Sequence, residues 1–378
     1  MSAELVHDYR RGAFLLAAPG STLLAEGEHR VVAEAGPDDL ETGVAKALAD
    51  SGAPLAVGAL PFDPARPAHL VVPEHVRQVD SAHSIEGDPV RDHVLPVSVE
   101  PVPDADAYAR AVATAVTRLR VPGGLRKVVL ARALRLGFAD PVDLAALLPG
   151  LVAANPAAAV FAAPLPGGRT LVGATPELLV AKTGARVVSN PLAGSVPRGA
   201  TPEQDRARAA ALLASAKDQA EHRVVVEAVE AALRPFCRDL VVPAGPSLAA
   251  TPTVWHLSTR ITGELADPDV SALRLAGALH PTPAVCGTPA ADARAAIGEL
   301  EPFDRDFYSG AVGWTAASGD GAWYVAIRCA QVLDREVLLY AGAGIMPDSR
   351  PESEVAETAA KFGTLLRGLG LGEVADSL

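Results

Sequence analysis

The chain has 378 residues, of which 49% are hydrophobic, and its formal net charge is −12. That hydrophobic content is ample for a buried core and excludes a disordered chain, while the acidic balance argues against nucleic acid or an anionic membrane as the main partner. The three cysteines, Cys237, Cys286 and Cys329, are too far apart to suggest a disulfide framework or a metal-ligand spacing, which points to a reducing cytoplasm, and no apolar run reaches the length of a membrane span.

In chain order, Arg10-Arg11 followed by the apolar stretch to Ala18 imitates a targeting signal at its short limit. The continuation Pro19-Gly20-Ser21 into Thr22–Ala25 predicts a strand–turn–strand hairpin of the mature protein instead. Leu55–Leu60 is strand-like. Residues Asp80 to Pro103, rich in Asp, Pro, Ser and His, predict a long surface connection. Tyr108, Val112, Ala115, Val116 and Leu119 fall on one helical face, and a strand begins at Lys127. Thr201-Pro202-Glu203-Gln204 places a cap, a first-turn proline and a capping-box glutamine in order. A further helix is expected from about Asp218 to Leu233, since Pro235 forbids its continuation. Strands at Trp323–Arg328 and Val337–Ala341 and a helix from about Ser353 to Leu369 follow. Strands and helices mix without strict alternation, which predicts an α+β fold with largely antiparallel sheet.

Lys127 and Glu177 stand out chemically. Lys127 is flanked by Val128, Val129 and Leu130, which push its amine toward the neutral form; Glu177, beside Leu178, Leu179 and Val180, is pushed toward the protonated form. Such a pair supplies a base and an acid usable near neutral pH. Taken singly, each has a blander explanation, as an edge or snorkelling lysine and as a Pro-Glu turn. Glu221 heads a stripe with Val225, Ala228, Val229 and Ala232, so it must be paired, hydrogen-bonded or metal-bound. Glu354, Glu357 and Lys361 share another helical face, where an ordinary i,i+4 surface ion pair is the alternative. If Glu221 and Glu357 converge, they form a hard oxygen site suited to Mg²⁺. Gly342-Ala343-Gly344 can offer backbone N–H groups to a carboxylate, and Gly194-Ser195 lies in a turn that a ligand can approach closely. Arg328, among Val, Ala, Ile and Cys, needs a buried anion from protein or substrate. His256 is more often a hydrogen-bonded core histidine than a catalyst.

In order along the chain, KVVLAR at Lys127, GATPELL at Gly173, PLAGSVPRG at Pro191, AKDQAEH ending at Glu221 and His222, and TVWHLST around His256 resemble the chorismate-utilising enzymes. LHPTPAVCGTP from Leu279, ELEPFDRDFYSGAVGW from Glu299, AIRCA around Arg328 and AGAGIMPDSRPESEVAETAAKF from Ala341 extend the likeness, which within that family is to the isochorismate synthases. The resemblance implies one domain over residues 1–378, less typical over 1–102 and characteristic over 103–370, with an antiparallel β-sandwich core flanked by helices. It implies Mg²⁺ held by Glu221 and Glu357, with Glu354 nearby through water. Gly194 and Ser195 would serve the ring carboxylate, Arg328 and the Gly342 backbone the enolpyruvyl carboxylate. Lys361 would lie near the metal, and His256 joins the substrate-binding residues. Lys127 becomes the general base for a water and Glu177 the general acid for the departing hydroxyl.

Amine-transferring relatives usually lack lysine at the Lys127 position, and aminodeoxychorismate synthases tend to carry lysine where Ala193 stands. These residues imply water as nucleophile and no obligatory amidotransferase partner, and the expectation is a cytoplasmic monomer. Salicylate synthases usually depart from the HPTPA pattern intact at His280–Ala284. The segment points to 2,3-dihydroxybenzoate siderophore synthesis, with the menaquinone branch as the nearest alternative. A chorismate-binding homologue without activity would be expected to lose Lys127, Glu177, Glu221 or Glu357, and all four are present.

Overall fold

A computed structural model describes residues 2–80 and 95–376. Among these residues the chain forms two large antiparallel sheets, of ten and nine strands, and a small one of three. The first sheet runs from Gly287–Thr288 through Lys127–Gly137, Glu336–Ile345, Cys329–Leu333, Arg169–Thr175 and Ala159–Leu165 to the Phe14–Ala18/Ser21–Glu26 hairpin and His75–Val79. The second has Leu178–Thr183, Gly321–Val325, Ala311–Ala316 and Leu55–Leu60 at its centre. The first hundred residues thus contribute strands to both sheets.

Period-2 alternation explains the layering. Phe14, Leu16 and Ala18 point to a core shared with Leu55, Val57, Ala59 and Val312 of the other sheet, so the sheets pack face to face. Leu15 and Ala17 point the other way, into a cluster with Leu148 and Leu151 of the Leu144–Ala154 helix and Phe362, Leu365 and Leu366 of the Pro351–Gly368 helix. The outer face of the second sheet is covered in turn by the Pro37–Ser51, Ala216–Leu233 and Ala272–Leu279 helices. The result is the expected antiparallel sandwich flanked by helices.

The Ala105–Leu119 helix buries Tyr108, Val112, Ala115, Val116 and Leu119, the predicted face. The Thr201 hydroxyl accepts from the Gln204 N–H and caps the Pro202–Ala214 helix. The Glu221 helix starts at Ala216, capped by Ser215; its buried stripe is Glu221, His222, Val225, Val229 and Leu233, with Ala228 and Ala232 only half-buried. Residues 81–94 of the expected surface connection lie outside the described residues, and its last part, Ser98–Val102, is a strand paired with the Lys127 strand. The expected Trp323–Arg328 strand ends at Val325. Beyond it the chain leaves the second sheet for the first, and Arg328 takes a left-handed conformation, φ 50°, at the crossing. For a non-glycine residue such a conformation costs roughly 1–3 kcal/mol.

Candidate active site

All the candidate residues except Lys127 and Glu354 line one cleft between the sheets, about 600 Å³ including its open mouth, bounded by the small third sheet and by the Glu221 and Glu357 helices. Lys127 and Glu354 are buried outside that lining. Glu177 and Arg328 enter it from two adjacent crossings between the sheets: Glu177 precedes Leu178–Thr183, and Arg328 precedes Cys329–Leu333. Backbone hydrogen bonds join the crossings, Ala174 N–H to Arg328 O and Val325 N–H to Glu177 O, each 3.0 Å. Glu177 is buried, and burial pushes its carboxyl up to about 7, against the opposing pull of the Leu192 N–H and the charges of Lys127, Arg328 and Lys361. The carboxyl contact with Leu192 is long, 3.4 Å.

Lys127 is fully buried, and its Nζ lies 2.9 Å from Glu221 Oε1. The contact is an ion pair whose angles fall short of a hydrogen bond, which leaves the ammonium without a hydrogen-bond partner among the described residues. Reading Lys127 from its apolar neighbours alone missed this carboxylate. Gly344 makes the pair possible, because a Cβ there would overlap Glu221 Oε1 and press on Lys127 Cε.

Two more lysine–carboxylate pairs follow. Lys361 Nζ binds Glu357 Oε1 at 2.6 Å and the Gly342 carbonyl at 2.8 Å, and Ser195 Oγ donates to the same Glu357 oxygen at 2.8 Å. Lys217 Nζ binds Glu354 Oε1 at 3.1 Å. The Glu357–Lys361 pair is therefore no solvated surface pair: both residues line the cleft, Lys361 is buried, and its charge holds the Glu357 carboxyl low against burial. Burial and the neighbouring Glu357 raise Glu354. Burial works against the Lys217 ammonium, but Glu354, Glu221 and Glu357 together raise it, so all three carboxylates act on one cation.

Gly342 faces the cleft with its main chain. Opposite it, Ala131 gives its N–H to Glu301, and opposite Gly344, Val129 gives its N–H to Cys286 O. Both glycines therefore occupy non-hydrogen-bonded positions of the antiparallel ladder, with N–H and C=O turned away from the Lys127 strand. Gly194, φ 77°, sits at an irregularity in the pairing of Leu192–Pro197 with Val254–Ser258, where left-handed geometry favours glycine.

Arg328 has no carboxylate within ion-pair distance among the described residues; its contact is His256 Nε2 at 3.3 Å, and its Nε is without a partner. Burial opposes its charge, which Tyr308, Glu357 and Glu177 support. The buried anion anticipated for it is thus not a protein group in ionic contact. Burial, with Arg328 and Lys361, drives His256 well below the usual histidine range, so the ring is neutral and accepts from the guanidinium.

Several lining or neighbouring residues escaped the sequence reading, Tyr308, Tyr340 and Lys217 among them. Tyr308 lies in the cleft wall, stacked on Tyr340 at 4.7 Å between centroids. Lys217 stands four residues before Glu221 on the same helix, and that spacing was the legible signal.

The carboxylates fit Mg²⁺ chemically. Glu221 and Glu357 are hard oxygen donors on the cleft, and Glu354 Oε2 behind them is buried without a hydrogen-bond partner among the described residues. Among the described residues no three His, Cys, Asp or Glu side chains form a closed ligand cage. That arrangement suits an ion which takes one or two carboxylates and fills its shell with water and substrate oxygens.

A helix-flanked antiparallel sandwich whose central cleft holds an acid, a lysine, carboxylates and an arginine with no carboxylate in ionic contact among the described residues suits a small anionic ligand. The chain belongs to the chorismate-binding enzyme family, whose model matches residues 62–370. It is 48% identical to the isochorismate synthase DhbC of Bacillus subtilis (strain 168) over 98% of this chain and 97% of that protein. The crystal structure of a putative 2,3-dihydroxybenzoate-specific isochorismate synthase, DhbC from Bacillus anthracis, superposes with a TM-score of 0.93 at 44% identity, covering 98% of this chain and 99% of the other. The menaquinone-specific isochorismate synthase MenF of Escherichia coli gives a TM-score of 0.82 at 25% identity, over 98% and 91% of the two chains.

Proposed function

We propose that this protein is an isochorismate synthase, an isomerase that converts chorismate to isochorismate with Mg²⁺, acting as a single-domain cytoplasmic monomer without an amidotransferase. The observation that carries the reading is the convergence on one cleft of a carboxyl pushed up to about 7 and an arginine without a carboxylate, with the buried Lys127 reaching the cleft through its pair with the lining residue Glu221.

In this reading Arg328, with the Gly342 N–H beside it, holds the enolpyruvyl carboxylate, and His256 steadies the guanidinium. Ser195 and the Gly194 backbone orient the ring carboxylate. Glu221 and Glu357 would hold Mg²⁺, with Glu354 behind them, and the ion when bound supplies positive charge for the ring carboxylate. For this step Lys127 must first lose the proton of its ammonium; as the free amine it takes a proton from the water that adds to C2. The two ring double bonds shift, and Glu177 gives its proton to the C4 hydroxyl, which departs as water. One water enters and one leaves, so no redox cofactor is needed. General acid–base assistance of this kind is worth on the order of 10²–10⁴-fold at each group.

The product is proposed to feed 2,3-dihydroxybenzoate-type siderophores, supported by the greater likeness to the Bacillus subtilis DhbC, 48% identical, than to a putative MenF of Mycobacterium tuberculosis, 43% identical, or to the Escherichia coli MenF, 25% identical. Incubation with chorismate and Mg²⁺, followed by product separation, tests the reading. Isochorismate is expected; salicylate with pyruvate, an amino product in added ammonium salts, or unchanged chorismate would each overturn it.

A further inference from the structure

Behind the cleft wall lies a buried pair that the chemistry above does not use. Glu301 follows the Ala290–Leu300 helix, Arg305 comes four residues later, and both side chains are 2% exposed. The Arg305 guanidinium donates to Glu301 Oε2 at 2.8 Å and Oε1 at 2.5 Å. It also donates to the main-chain carbonyls of Val285 at 2.8 Å and Val129 at 2.7 Å. Glu301 Oε1 completes the set by accepting the Ala131 N–H at 2.7 Å. The guanidinium lies between two rings, 4.6 Å from the Phe62 centroid and 5.7 Å from that of Tyr308.

Val129, Val285 and Tyr308 all line the cleft. Arg305 therefore touches three pieces of its wall from outside. One of them is the strand that begins with Lys127, whose other main-chain holds on the Val285 side, among the described residues, are the short pairing of Lys127 and Val128 with Thr288 and Gly287 and the bonds from Arg126 N–H to Thr288 O and from Val129 N–H to Cys286 O.

Stability alone is a poor reason for such a pair, because desolvating two charges roughly cancels their attraction and a packed apolar pair of the same volume often does as well. An apolar pair cannot supply directional bonds to the Val129, Val285 and Ala131 main-chain groups, which would otherwise be buried without partners. Arginine is suited to this task because its planar fork carries five fixed donors, whereas lysine offers one point charge.

We propose that Arg305, held in place by Glu301, is a positioning residue: it locks the Lys127 strand to the Val285 segment and so sets where the Lys127 amine stands relative to the bound ring. The inference rests on the isochorismate synthase reading for its kinetic consequence, but the clamp itself has an independent readout. Misplacement of a reacting group by about 1 Å costs on the order of 100-fold in rate. A clamp lesion should therefore lower kcat more than it alters substrate affinity.

The test uses the full-length protein and its Arg305→Lys and Glu301→Gln variants. Glu301→Gln keeps the side-chain shape and an acceptor for Ala131, so it serves if Arg305→Lys does not fold. Hydrogen exchange is measured by mass spectrometry over 127–132 and 282–288, alongside kcat and KM for chorismate. Exchange should quicken in those two segments and not in the Ala216–Leu233 helix, with kcat about 10–100-fold lower and KM within about threefold. Unchanged exchange in both segments, or a loss of kcat/KM carried by KM, overturns the proposal. If the parent protein makes no isochorismate, the functional reading fails, and the exchange comparison alone decides the clamp.

Discussion

Glu177 and Arg328 occupy neighbouring crossings of the chain between the two sheets, tied to each other's strands by the Ala174–Arg328 and Val325–Glu177 main-chain bonds. A crossing is where a residue is released from the period-2 ladder and can turn its side chain into the seam between sheets. The acid and the anion receptor of the proposed reaction are therefore placed by one piece of topology, and moving one strand end moves both.

Glu177 sets the pH dependence. An acid held up to about 7 is protonated below that pH, so turnover should fall with unit slope as pH rises through it. Glu177→Gln should abolish turnover. It should also stabilise the fold at alkaline pH: from the ordinary 4.5 to about 7 the unfolded carboxyl has lost its proton while the folded one keeps it. Parent stability therefore falls across that window, by about 3 kcal/mol at most, and the glutamine variant does not share the loss. Thermal melting of both proteins from pH 4 to pH 8 checks the sign. Parallel curves would remove the raised carboxyl.

Lys127→Ala should lower turnover by at least about 100-fold in a protein that still folds and binds Mg²⁺. The substitution leaves Glu221 in the interior without its ammonium, so Mg²⁺ should raise the melting temperature more in the variant than in the parent. Retained turnover would take the base role from Lys127.

Glu221→Ala and Glu357→Ala should each shift the Mg²⁺ titration of activity to higher concentration. Calorimetric titration with Mg²⁺ gives the same comparison without turnover. Curves that superpose on the parent's would sink the shared metal site.

Arg328→Ala should raise KM for chorismate by about 10–100-fold, the worth of one charge-assisted hydrogen bond in a buried site. Arg328→Lys should recover part of the loss, since lysine restores charge without the fork that faces His256. Unchanged KM in the alanine variant would mean that another group holds the enolpyruvyl carboxylate.

Local chemistry made much of the fold legible. The Tyr108 face, the Thr201 cap and the Phe14–Glu26 hairpin each follow from neighbours in sequence, and each stands where the pattern predicts. The strand expected through Arg328 is shorter because apolar β-formers continue past Val325 while topology demands a sheet crossing there. Ser98–Val102 was hidden by Pro101 and Pro103, which mark a loop locally but are tolerated on a strand at the margin of its sheet. In the site the i,i+4 pair of Glu357 and Lys361 was legible, although not its burial, whereas partners distant in sequence were not. The Lys127–Glu221 contact joins residues far apart in sequence, and only the fold brings Lys217 to Glu354.

The three lysine–glutamate pairs give the cleft an electrical character opposite to that of the molecule. A chain of net charge −12 should repel a dianion at long range. In and behind the cleft wall each of Glu221, Glu354 and Glu357 is already answered by a lysine, which leaves Arg328 as surplus positive charge while Glu177 keeps its proton. Encounter and capture thus respond to salt in opposite directions: added electrolyte screens the outer repulsion and speeds arrival, while weakening the hold once the ligand is seated.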